Sequence, residues 1–289
     1  MALSIAPFLA AYWPHIISAV LCFLLGTVVR SFTLPSAGRN PPEKRRRDTS
    51  PADGDTTTAP RPPDLDCETA PRVPYSLPGY DEQEMLVRSD AFYREMNARR
   101  SVRDISDKPV PLEVVENCIR TAGTAPSGAH MQPWTFVVIA STEVKLEVRH
   151  IIEEEEKINY EKRMSAQWLH DLEKLATTWR KPYLTRAPYV IIVFKQQFAI
   201  AEDGEKTTHY YQEISASVAT GFLLAALHNA GLVTVTTTPM NAGPRLRVLL
   251  DRPIGEKVLV LLPVGYAEED ATVPDLRRKA LHEIMVLKE

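Results

Sequence analysis

The sequence predicts an α+β fold, a central mixed sheet surrounded by helices, with an N-terminal transmembrane helix ahead of it. Three observations predict this. Short β-branched and aromatic runs recur at residues 134–140 (WTFVVIA), 189–194, 233–237 and 258–262, each brief and bounded by turn residues as buried strands are. Long helical stretches, from Thr142 to about Arg163 and from Thr208 to about Ala230, fall between them, the pattern of helices packed around one sheet. The first 29 residues carry no Asp, Glu, Lys or Arg, and residues 16–29 (IISAVLCFLLGTVV) are almost wholly apolar.

A bilayer crossing takes about 20 residues, and residues 7–29 supply them, with Pro14 and His15 weakening the first turn. A cleaved signal peptide would begin with basic residues, and this start is uncharged. Arg30, Arg39 and the run Lys44-Arg45-Arg46-Arg47 all follow the span. Basic flanks face the cytoplasm, so the expectation is a single-pass protein of a plasma or vesicle membrane with its catalytic domain in the cytosol. Residues 1–32 are assigned to the anchor. Residues 33–80 hold ten of the 23 prolines and no apolar period, which reads as a disordered tether.

The catalytic domain is placed at residues 81–289. Met85, Phe92 and Met96 lie among charges between Asp81 and Asn97, as in an amphipathic helix. A second helix follows Pro111, with Leu112, Val115, Ile119 and Ala122 spaced by three and four and an end near Gly123. The stretch 216–227 is nearly apolar, which makes its helix central.

Several function classes are excluded. No two glycines stand close enough for a GxGxxG or P-loop fingerprint, and HExxH and GxSxG do not occur. Cys22, Cys67 and Cys118 lie far apart, so neither a disulfide framework nor a zinc knuckle is expected, and no metal is assigned. A net charge of -3 offers nucleic acid no attractive surface.

Four constellations remain. Arg99-Arg100-Ser101-Val102-Arg103 gathers three guanidiniums and a hydroxyl; guanidinium forks match phosphate oxygens, and a solvated basic patch has the same composition. Thr124-Ala125-Pro126-Ser127-Gly128-Ala129-His130 precedes a strand. Its small residues suit a planar ligand approaching the backbone, or simply a helix-to-strand loop. Thr234-Val235-Thr236-Thr237-Thr238-Pro239 offers hydroxyls at a strand end, or an exposed edge. Pro263-Val264-Gly265-Tyr266 leads towards a basic cluster containing Arg277, Arg278 and Lys279.

In this order, the Arg-rich motif, the PSGAHMQPW loop, the AGLVTVTTTP strand and the LPVGY strand resemble those of the nitroreductase-fold flavoproteins over about residues 82–289. In finer detail the chain resembles their iodotyrosine deiodinase family. The resemblance implies FMN held by Arg99, Arg100, Ser101, Val102, Arg103 and Arg278, with Ser127 and Gly128 near the isoalloxazine and Thr236, Thr237 and Thr238 at another part of the ring. Thr238 would donate to flavin N5, steering the flavin to one-electron transfer. The Ala129 amide would bind the substrate phenolate, and Thr238 and Ala129 are the catalytic candidates.

A lid at residues 153–183 would close on a mono- or diiodotyrosine, Glu156 taking the ammonium while Tyr160 and Lys181 hold the carboxylate. Glu156 and Tyr160 are four apart and share a helical face; Pro182 restrains the backbone of Lys181. The implied activity is reductive deiodination to tyrosine and iodide, allowing iodide salvage. NADPH is the implied ultimate electron donor, directly or through a separate reductase, and a homodimer is implied, with residues 276–288 as an arm across the partner or as a helix packed on their own domain. A general FMN nitroreductase or quinone reductase would share the flavin contacts and lack the zwitterion clamp.

Overall fold

The computed structural model describes residues 71–200 and 204–289. The chain divides into two units, Met1–Tyr75 and Ser76–Glu289. The expected anchor and all but the end of the expected tether lie outside the described residues. Among the described residues no helix is long and apolar enough to cross a membrane, and residues 71–80 are exposed chain without helix or strand.

In the second unit the elements run α1 (Glu82–Ala98), α2 (Leu112–Gly123), β1 (Trp134–Ile139), α3 (Thr142–Ile158), a π turn (Asn159–Arg163), α4 (Ala166–Glu173), α5 (Tyr183–Arg186), β2 (Tyr189–Gln196), β3 (Phe198–Ile200), β4 (Lys206–Thr208), α6 (Gln212–Asn229), β5 (Val233–Thr234), α7 (Gly243–Leu249), β6 (Glu256–Gly265) and α8 (Leu281–Ile284). The main sheet has the order β1-β2-β6-β5 and β3-β4 forms a separate hairpin.

The paired strands of the main sheet are antiparallel throughout. The mixed character expected of the sheet is reduced to one parallel bridge, Ser101 to Thr234. Strand β5 is likewise shorter than the threonine-rich run suggests: regular pairing stops at Thr234, and contact with β6 resumes only at the Thr237–Leu261 bridge. Residues 235–239, held to β6 only at Thr237, line a cleft.

Period-two alternation divides β2 between two cores. Val190, Ile192 and Phe194 pack with Val148, Ile152, Leu184 and Leu246; Ile191 and Val193 pack with Val115, Cys118, Leu223 and Leu227. Because both faces are covered, the strand reads as a continuous apolar run. Helices α3, α5 and α7 cover one face, while α2 and α6 cover the other.

Helix α1 begins where the sequence places it, capped by the Asp81 carboxylate, which accepts from Glu84 N at 2.8 Å. Its amphipathic reading needs correction, since none of its residues is buried and Met85 and Phe92 are 57% and 60% exposed. It is tied to α6 by His228, whose Nε2 donates to the Glu95 carbonyl at 2.8 Å. Helix α6 starts at Gln212, later than expected, because β4 takes up residues 206–208. One of its faces is buried through Ala216, Ala219, Leu223 and Leu227, while Ile214 and Phe222 remain exposed. Together with Phe92, Val114 and Cys118 that outer face lines an open apolar groove of about 740 Å³. At the C-terminus helix is limited to Leu281–Ile284, and Leu281, Ile284, Val286 and Leu287 are exposed. Residues 279–289 are all exposed, while Arg278 just before them is held by Asn97 and Arg99.

Candidate functional site

Beyond α1 the chain turns extended at Arg99, and its alternation sorts the next residues. Val102 turns inward, 7% exposed, and its N–H donates to the Thr234 carbonyl at 3.1 Å. Val102 therefore supports the motif from behind, with its amide engaged by the sheet. Arg99, Arg100, Ser101 and Arg103 meet Arg277, Arg278, Pro274 and Leu276 around a cleft of about 320 Å³. Arg278 closes it from the C-terminal segment, donating through Nη1 to Asn97 O at 2.9 Å and through Nη2 to Arg99 O at 2.7 Å, while Arg100 donates to Pro274 O.

No carboxylate lines this cleft. Burial, then the neighbouring guanidiniums of Arg278 and Arg100, lower the pKa of Arg99. Among the described residues Arg103 Nε is buried with no hydrogen-bond partner. Crowded like charges and an unpaired donor are the conditions that an anionic ligand relieves.

A second cleft, of about 260 Å³, adjoins the first through Arg103 and Leu175, which line both. Glu156, Tyr160, Lys181 and the three threonines 236–238 all line it, under lid residues Met164, Trp168 and Leu172. Thr237 is locked to β6, its N–H and Oγ1 both donating to Leu261 O, at 2.9 and 3.2 Å. Its hydroxyl is therefore engaged. Among the described residues the hydroxyls of Thr236 and Thr238 have no hydrogen-bond partner.

The lid is built from capped pieces. Ser141 caps α3, accepting from Val144 N at 3.2 Å, and Ser165 caps α4, accepting from Trp168 N at 3.2 Å; Ala176, at φ 48°, turns the chain back beyond α4. Between α3 and α4 the wide turn at Asn159–Arg163 re-aims side chains, as π turns do at functional sites. Lys181 Nζ lies 3.8 Å from Glu156 Oε2 and donates to Thr178 O at 2.5 Å. It also stands 5.8 Å from the centroid of the Tyr160 ring, and the Tyr160 hydroxyl reaches Thr177 O at 3.5 Å.

Burial lowers the pKa of Lys181, with Glu156 opposing that shift, and raises those of Tyr160 and Tyr183. The cleft thus presents a desolvated ammonium, a carboxylate and two protonated phenols. That set complements a small molecule carrying both charges.

The loop of Ser127, Gly128 and Ala129 is not part of either cleft. Ala129, His130 and Gln132 all have left-handed backbones, at φ 48°, 56° and 47°, a concentration of strain of the kind found at ligand clamps. Ser127 Oγ accepts from Gln132 N at 2.9 Å, and Gly128 N donates to Ser215 Oγ at 3.4 Å near the start of α6. Gly128 also meets a constraint within its own chain: a Cβ there would stand 3.0 Å from Tyr211 Cδ2 and 3.2 Å from Tyr210 O. His228, beside the arginine motif, lies thirteen residues further along α6 than Ser215, about 20 Å at helical rise. One chain therefore brings the arginines, threonines and lid residues together in two adjoining clefts and holds the Ser127–Gly128–Ala129 loop, which lines neither, near the end of α6 away from the arginine motif.

Two residues of the site were not singled out from the sequence. Asn159 is fully buried; its Nδ2 donates to Glu156 Oε1 at 3.3 Å and its Oδ1 accepts from Arg163 at 3.0 Å and Asn241 at 3.3 Å. Glu153 Oε1 accepts from Lys181 N at 2.6 Å. A lone Asn and one acid in a run of four carry no local signal.

Residues 96–266 match the model of the Nitroreductase family. The chain is 62% identical over 222 residues to iodotyrosine deiodinase of Danio rerio, covering 77% of this chain and 75% of that one, and 61% identical over 219 residues to iodotyrosine deiodinase 1 of Homo sapiens, 76% of each. A crystal structure of oxidized iodotyrosine deiodinase bound to FMN and 3-iodo-L-tyrosine is similar with a TM-score of 0.58 at 30% identity, covering 66% of this chain and 96% of that chain. A nitroreductase with bound FMN from Bacteroides fragilis shares the fold, with a TM-score of 0.52 at 20% identity over 68% and 98% of the two chains.

Proposed function

Because the chain belongs to the nitroreductase family and, within it, to the iodotyrosine deiodinases, we propose that it is an FMN-dependent reductase that converts mono- and diiodotyrosine to tyrosine and iodide, allowing iodide salvage. The observation that carries this reading is the meeting of Glu156, Tyr160 and Lys181 in a cleft that adjoins an arginine-rich one through Arg103.

The residues present fit FMN: a carboxylate-free arginine cleft with an unpaired buried donor suits a phosphate. Arg99, Arg100, Ser101 and Arg278 would hold the phosphate end and Arg103 the passage to the ring. When bound, FMN supplies the two electrons that replacement of a carbon–iodine bond by carbon–hydrogen consumes, together with one proton, as iodide leaves. Glu156 pairs with the substrate ammonium, and Lys181 and Tyr160 hold its carboxylate. The incoming carboxylate gives the desolvated Lys181 ammonium a counter-ion, and α4 with Trp168 excludes water as the lid settles. Thr238 has a free hydroxyl to donate at the flavin N5 edge, a role Thr237 cannot share while bonded to Leu261.

Ser127, Gly128 and the Ala129 amide, which would orient the substrate phenolate, belong in this reading to a second copy of the chain. The separation of their loop from the clefts, the uncovered faces of α1 and α6 and the exposed C-terminal arm all support a homodimer. NADPH as ultimate donor, used directly or through a separate reductase, and a membrane anchor with a cytosolic catalytic domain complete the proposal; both rest on sequence resemblance and charge pattern.

The test is iodide release from diiodotyrosine by dithionite-reduced holoenzyme. Glu156→Gln should lower kcat/KM for diiodotyrosine by about ten- to a hundredfold, the loss of one charged contact, while nitroaromatic reduction stays unchanged. Nitroaromatic turnover without iodide release would identify a general nitroreductase instead.

A further inference from the structure

Lys181 reaches the clamp from an awkward place. Pro182 follows it, so the next residue has no N–H and the hinge must be anchored at Lys181 itself or beyond. Glu153 provides that anchor. Its Oε1 accepts from Lys181 N at 2.6 Å and from Arg149 Nε at 2.8 Å; Arg149 Nη1 donates to Thr185 Oγ1 at 3.0 Å, and Thr185 Oγ1 donates to Pro182 O at 3.1 Å. These bonds close a ring through Glu153, Lys181, Pro182, Thr185 and Arg149, with the Glu153 and Arg149 side chains 19% and 28% exposed.

The two acids of this helical turn thus act on one lysine in different ways. Glu156 faces its ammonium at 3.8 Å, and Glu153 grips its backbone. The ammonium is held on a four-carbon stem with several rotamers, so a fixed backbone origin decides how much freedom must be lost when a ligand carboxylate arrives.

We propose that Glu153 is a positioning residue for amino-acid recognition: its carboxylate fixes the Lys181 backbone and so presets the ammonium that meets the substrate carboxylate. This rests on the deiodinase reading of the site. Glu153 lines neither cleft, so its removal should act only on ligands that use Lys181.

Flavin-fluorescence titrations of the FMN-loaded full chain with 3-iodo-L-tyrosine and with 2-iodophenol, which keeps the aryl iodide and phenol and lacks both charges, test this. Glu153→Leu should weaken 3-iodo-L-tyrosine by about tenfold and leave 2-iodophenol within about twofold, while Glu153→Gln, which keeps an acceptor for the Lys181 amide, restores affinity to within about threefold of the parent. An unchanged ratio of the two ligands in Glu153→Leu, with the parent still preferring the amino acid, overturns the brace and leaves the deiodinase reading standing. A parent protein that binds the two ligands equally overturns both. Should Glu153→Leu emerge without flavin, Thr185→Val opens the same ring from its far side. A selective loss of the amino acid there supports the proposal, and an unchanged ratio refutes it.

Discussion

Gly265 ends β6 where no side chain fits: a Cβ would stand 2.7 Å from Pro188 Cδ and 2.8 Å from Ile105 Cγ2. Gly265→Ala should therefore cost about 1–3 kcal/mol by overpacking, read as a lowered Tm of the holoenzyme. Lys145 makes a prediction about pH. It is 5% exposed and donates to Ala187 O at 2.7 Å and Pro188 O at 3.3 Å, holding the strand that leaves the lid. Burial lowers its pKa below the ordinary 10.5. The folded protein then binds this proton less tightly than the unfolded chain, so the cost is full below the lowered value and fades as pH rises to 10.5, giving stability that increases with pH across that window. Lys145→Met removes the titration, and the Tm difference, parent minus variant, should grow from neutral pH to 10.5. Sequence made some single residues legible and not others, for a physical reason. Arg99, Arg103 and Thr238 belong to motifs whose type and spacing carry chemistry; Glu153 and Asn159 act through partners 28 and 82 residues away, which no local pattern contains.

Among elements, the lid is pinned at both roots and free between them. Asn159 ties its start to Asn241, Glu153 ties its end at Lys181, and α4 between them has no buried residue. Trypsin should cut the protein between Lys162 and Arg180 before it cuts the core, and saturating 3-iodo-L-tyrosine should slow that cleavage markedly on a gel time course. Asn159→Leu, which removes the bonds of Asn159 to Arg163, Asn241 and Glu156, should speed it. The elements best read from sequence were those whose patterns are satisfied within one chain: the double-sided strand β2, capped α3 and half-buried α6. Strand β5 was overextended because β-branched threonines fit a strand and a cleft wall equally well, and α1 was misjudged because its apolar residues stay exposed, Phe92 lining an open groove with α2 and α6 instead of entering the core.

At the scale of the molecule, the arginine motif and the Ser127–Ala129 loop sit near opposite ends of α6, and the proposed homodimer joins them across two copies. A chain altered at Arg100 (Arg100→Ala) and one altered at Ser127 (Ser127→Trp) should each be inactive. Mixed and reassorted, half the dimers are hybrids, and each hybrid has one site with both lesions and one with neither. Deiodination should recover to about a quarter of the parent rate in a two-fold symmetric dimer, whereas a site complete in one chain would recover nothing.

Arg278 links the tail of the chain to the very start of its domain, clasping Asn97 and Arg99 from eleven residues before the end. During synthesis the sheet and its helices can assemble as they emerge, whereas this clasp cannot form until Arg278 itself has emerged. The phosphate cradle is thus finished after the sheet that carries it, and a chain cut short before Arg278 should retain flavin poorly.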